Sequence, residues 1–87
     1  MEEEMDYFTR TKHRFEVAHA ILKRPKYHDK LFEIGKDSAY AADREENHPF
    51  EKLCRGYAIG EFQKRGWHFN DEDIVWVCHT VHWDLYH

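Results

Sequence analysis

Residues 69–87, FNDEDIVWVCHTVHWDLYH, decide how the chain folds, because their two halves send opposite local signals. The opening reads as a helix start. Asn70 can accept from free backbone amides, Asp73 can return a bond to the amide of Asn70, and Phe69 can staple onto Ile74. Asp71, Glu72 and Asp73 also suit the positive end of a helix dipole. The run from Ile74 to Val81 is instead rich in β-branched and aromatic residues, a composition that fits a strand. The completeness of the cap favours the helix. The expected fold is therefore all-α, a small single-domain bundle of about four short helices; an α+β fold with residues 74–83 as a strand is the alternative.

Placed on a helix at about 100° per residue, Ile74, Val77, Cys78, Val81 and Leu85 gather in one stripe, the expected core face. Trp76 and Trp83 project together on nearly the opposite side, with Val75, His79, His82 and Tyr86 on one flank. A helix that is apolar on two faces must be covered on both. Either the N-terminal segment, with Tyr7 and Phe8, folds over the two indoles, or the indoles face a partner, where tryptophan concentrates binding energy. Read as a strand, the segment is still apolar on both sides, and such an edge pairs with another copy.

Upstream, three further segments carry helical periodicity. The first runs from about Thr9 to Lys23, with Phe8, Thr11, Phe15, Ala18 and Leu22 on one stripe that Val17 and Ile21 widen. Arg24-Pro25 interrupts it, since proline lacks an amide proton and restricts the residue before it. The second spans about Lys26 to Arg44, its apolar face made by Tyr27, Leu31, Ile34, Ser38, Ala41 and Ala42. The third opens at NHPF, residues 47–50, with Pro49 in an early position, and stops at Gly66; Phe50, Leu53, Cys54 and Tyr57 form its stripe.

An 87-residue chain without an internal repeat or a long linker makes one globular domain, residues 1–87, with residues 1–6 read as a flexible acidic tail. Three tryptophans, five tyrosines and six phenylalanines can bury enough surface to offset chain entropy, so disorder is excluded. Seventeen acidic against thirteen basic side chains leave a net charge of -4, the wrong sign for a nucleic-acid footprint. The start, Met1-Glu2-Glu3-Glu4, is not that of a secretory signal, and no apolar run is long enough to span a membrane. A soluble cytoplasmic protein follows. Cys54 and Cys78 both fall on core stripes and read as inert packed thiols.

For chemistry the signals are sparse. His79 and His82 could offer zinc two ligands from neighbouring helical positions, with His68, Cys54, Glu61 or His87 as further candidates, but no ligand spacing is diagnostic. Ordinary, partly exposed histidines are the simpler reading. Glu61 is the one carboxylate on an apolar stripe, where burial could tune it for acid–base work, although Lys64 and Arg65 offer simple ion pairing. No phosphate loop or nucleophile elbow is present, so no enzyme is expected.

From Gly35 to Gly60, with Ala39, NHPF and Tyr57 between them, the chain is similar to the helix-loop-helix of the ribosome modulation factor family. The match covers under a third of the chain, and His48 stands between Asn47 and Pro49 where the family has Asn-Pro. Glu61 follows Gly60 where the family has tryptophan, and the chain is acidic where that family is basic. The resemblance implies a ribosome- or RNA-associated regulator as one alternative function. A His/Cys metal-binding protein and a small enzyme using Glu61 or a histidine are the others. The leading expectation is a small non-enzymatic interaction module, an adaptor, inhibitor or regulator. It would hold a protein partner, or another copy of itself, through an aromatic surface of Trp76, Trp83, Tyr86 and Trp67.

Overall fold

The structure, a computed structural model, describes residues 6–35 and 49–86. Among the described residues there are four α-helices and no strand: α1 (Tyr7–Lys23), α2 (Pro25–Gly35), α3 (Pro49–Arg65) and α4 (Asp71–Tyr86). The capping signal at Asn70 therefore prevails over the strand-like composition that follows it, because the other three helices offer apolar surface against which α4 can bury its branched side chains. Of the second expected helix, residues 26–35 are helical; Ser38, Ala41, Ala42 and the Asn47-His48 start lie outside the described residues, as do residues 1–5.

Each helix end has a local cause. Asp6 caps α1 by accepting from the Thr9 amide at 3.0 Å, which starts the helix two residues before the expected Thr9. Arg24 is extended, as a residue before proline should be, and its carbonyl already accepts from His28. At the end of α3, Gly66 has φ 71°, its amide donates to Gln63 and that of Trp67 donates to Phe62, the two bonds of a Schellman ending. The capping box of α4 is complete: the Asp73 amide donates to Asn70 at 3.0 Å, and the Asn70 amide donates to Asp73 at 2.9 Å.

Helices α3 and α4 run antiparallel, since Phe50 meets His82, the Cys54 and Cys78 thiols share a hydrogen bond, and Phe62 stacks on Phe69. Helix α2 is likewise antiparallel to α3: Tyr27 stacks on Tyr57, and Gly35 lies against Phe50. Helix α1 lies across the end where α3 stops and α4 begins, with Arg10 and Arg14 on Asp73, His13 on Trp67 and, just past its end, Arg24 on Glu61.

The core between them holds Val17, Ala18 and Ile21 of α1, Leu31 of α2, Phe50, Cys54, Ala58 and Phe62 of α3, and Ile74, Val77, Cys78 and Val81 of α4. Each large side chain among them contributes roughly 2 kcal/mol of burial. One expectation is corrected here. The buried stripe of α1 is Arg14, Val17, Ala18 and Ile21, and Phe8 and Phe15 lie beside it, exposed. Arg14 is drawn inward by Asp73, and that rotates the two phenylalanines outward.

Candidate functional site: an aromatic face on α1 and α4

The face is built on an ion cluster. Asp73 is 1% exposed, caps α4 and accepts from the Nε of Arg14 at 2.6 Å and of Arg10 at 3.2 Å, which ties α1 to the first turn of α4. Burial alone would raise its carboxyl; the Asn70 amide and the guanidinium groups of Arg14 and Arg10 outweigh this and hold it below the usual range. The Arg14 guanidinium also lies 5.7 Å from the centre of the Trp76 ring, and Phe15 meets that ring edge-on with centroids 4.9 Å apart. Phe15 and Trp76 are thus set side by side by a buried salt bridge.

Other large apolar side chains of α1 and α4 are also open to water. Phe15 is 55% exposed, and Tyr7 and Phe8, which one of the two readings folded over the indoles, are each 78% exposed. Trp83, two helical turns beyond Trp76, is 62% exposed, and Val75 lies partly open. The N-terminal turn of α1 cannot reach the indoles because Arg10 and Arg14 pin the helix against Asp73, one turn before Trp76.

The other expected aromatics sit elsewhere. Tyr86 stacks on Phe32 and donates its hydroxyl to the Phe32 carbonyl at 2.5 Å, which joins the end of α4 to α2. Trp67 is half-buried, stacked on His13 at 3.7 Å, with the Arg65 guanidinium over its ring. His13 lies about 200° round α1 from Phe15, so Trp67 belongs to the opposite flank.

The histidines are dispersed. His82 is buried, edge-on to Phe50; His79 is half-buried; His68 is exposed between α3 and α4. The burial of His82 corrects its reading as a partly exposed residue, and its cause is α3, whose Phe50 reaches the flank of α4. Among the described residues no three His, Cys, Asp or Glu side chains come together in a way that could hold a metal ion.

Glu61 is 3% exposed and faces Arg24 at 3.2 Å, Lys64 at 3.7 Å and Arg65, with which it makes a close hydrogen bond. Lys64 and Arg65 were legible from their spacing; Arg24, from another element, was not. Three cations surround this carboxylate, and its pair with Arg24 ties the α1–α2 junction to α3. Cys54 and Cys78 are fully buried free thiols, and their mutual hydrogen bond, with burial, pushes the Cys54 thiol well above its ordinary value. On the far flank of α1 an open hollow of about 400 Å³ is lined by Glu16, His19, Ala20, Lys23 and Arg65, with charges of both signs.

Sequence reasoning missed Asp73 as an inter-helix anchor and Phe15 as a surface residue. The available signal was Arg10 and Arg14, two cations four apart on the inward side of an apolar helix, which need a buried anion.

Fold and face together define a small helical protein with an ordered, solvent-facing aromatic surface. Compared with models of known protein families, with curated proteins and with solved structures, the chain matches none at a significant level.

Proposed function

We propose that the protein is a small non-enzymatic interaction module, an adaptor, inhibitor or regulator, that binds a protein partner through the Phe15, Trp76 and Trp83 face. One observation carries the reading: Phe15, held edge-on to Trp76 between two clamped helices, and Trp83 on the same helix as Trp76 are each more than half open to water. Leaving such rings exposed forgoes burial energy that a partner can recover, and aromatic rings with few rotatable bonds lose little entropy on binding. The buried free thiols suit a reducing compartment, in keeping with a cytoplasmic site of action.

The test is affinity capture from the source cells with wild-type bait, a Trp83→Asp bait and a Gln63→Asp bait, the last altered on an exposed position of α3. A stoichiometric partner should be retained by the wild type and by Gln63→Asp and lost by Trp83→Asp. A partner held equally by all three baits places the binding surface elsewhere and removes the proposal.

A further inference from the structure

The chain has only two cysteines, and they face each other in the core. Two ring contacts fix the register of α3 against α4: Phe50 meets His82 with centroids 5.1 Å apart, and Phe62 meets Phe69 at 5.2 Å. Cys54 lies one helical turn on from Phe50, and Cys78 one turn back from His82. In an antiparallel pair both sulfurs therefore fall in one layer. Helix axes pack about 8–10 Å apart with Cα atoms about 2.3 Å off each axis, so residues that face straight across come within the Cα separation of roughly 4.4–6.8 Å that a disulfide spans. Both thiols are free and fully buried. Independently of the aromatic face, we propose that Cys54 and Cys78 form an oxidative modification site, which hydrogen peroxide converts to an internal disulfide that ties α3 to α4.

One sulfur, having lost its proton, attacks the O–O bond of the peroxide, becomes a sulfenic acid and releases hydroxide, which takes up that proton as water. The second sulfur then attacks the first. The S–S bond forms, the S–O bond breaks, and the departing hydroxyl leaves as water with the remaining thiol proton. Two thiols are oxidised and one peroxide is reduced to two waters. The hydrogen bond shared with Cys78, together with burial, holds the Cys54 thiol well above its ordinary value, so the closed core contains little Cys54 thiolate and the pair rests reduced. Peroxide gains access when the α3–α4 hairpin opens locally. Once one sulfur is oxidised, reclosure sets the other against it at an effective concentration far above that of any thiol in solution, which favours the internal bond over further oxidation or a bridge between chains. The same burial then shields the bond from reductants, so the latch is slow to close and slow to release.

The experiment is prolonged oxidation of the full, reduced chain by excess hydrogen peroxide under native conditions, read by peptide mapping after alkylation and by thermal melting. The expected product holds one linked peptide joining Cys54 to Cys78 within a single chain, lighter by about 2 Da than the two reduced peptides together. It should keep its helix content and melt about 5–10 °C higher, because the closed loop restricts the unfolded chain. Reduction by dithiothreitol in denaturant, followed by refolding, should restore two free thiols and the original midpoint. Two thiols still free at the end of the exposure overturn the inference, as do sulfinic or sulfonic acid at either cysteine and a bridge between two chains. An internal disulfide whose product loses helix or melts lower overturns it as well, since the bond would then form only by forcing the fold. The wild-type chain answers the question without a substitution, so no misfolded variant can obscure it.

Discussion

Asp73 joins three roles in one carboxylate: acceptor from the Asn70 amide in the capping box, ion-pair partner of α1 and anchor beneath the aromatic face. Removing it frees the Asn70 amide and leaves Arg14 buried without a counter-charge. Asp73→Ala should therefore cost about 3 kcal/mol or more in chemical denaturation, well beyond a lost cap alone. Trp83 is the opposite case. Because it is mostly exposed, Trp83→Ala should shift stability by no more than about 1 kcal/mol in the same assay under monomeric conditions, whereas Trp76→Ala, which strips the Phe15 and Arg14 contacts, should cost more. Equal losses at the two tryptophans would mean that both are core. Their shared side was legible from a seven-residue spacing. Phe15 was not, because its spacing from Ala18 and Leu22 matches a core stripe equally well.

The helices depend on a few local devices and one close approach. Gly66 ends α3 with a positive φ that a side chain resists, so Gly66→Ala should lower stability by about 1 kcal/mol, read as a shifted thermal midpoint. Gly35 ends α2 where a Cβ would stand 2.8 Å from both a Phe50 ring atom and the Tyr86 hydroxyl. Gly35→Ala should be destabilising by about 1–2 kcal/mol despite the better helix propensity of alanine, since Phe50 is core and cannot give way freely. A stabilised variant would show that the α2–α3–α4 junction relaxes. The caps at Asn70 and Gly66 and the break at Pro25 were all readable beforehand, because each depends on residues within one turn.

At the scale of the whole molecule, acid should act on the fold at His13 and at the carboxylates that cap helices, Asp73 and Asp6. Burial holds the His13 imidazole below its ordinary value of 6.5, and its Nδ1 is enclosed without a partner. Below pH 6.5 the unfolded chain binds a proton that the folded chain refuses, so this contribution falls with pH and levels off beneath the folded value. Asp73 adds a second loss as pH falls from 3.8 through its lower folded value. Urea midpoints at neutral pH and near pH 5 should differ in this direction, and His13→Phe, which keeps a ring on Trp67 without a titrating nitrogen, should reduce the difference.

Helix class, the start of α4, the end of α3, the α1–α2 break and the core face Ile74, Val77, Cys78 and Val81 were determined by the sequence alone, because capping and periodicity are set by neighbours along the chain. Only the tertiary structure decided which way α1 turns, how deeply His82 is buried, and that Arg24 and Arg10 find Glu61 and Asp73 across helices. Those outcomes depend on how the helices cross, and on the preference of a buried carboxylate for cations over an apolar neighbour. That preference turned Phe15 outward and made the aromatic face.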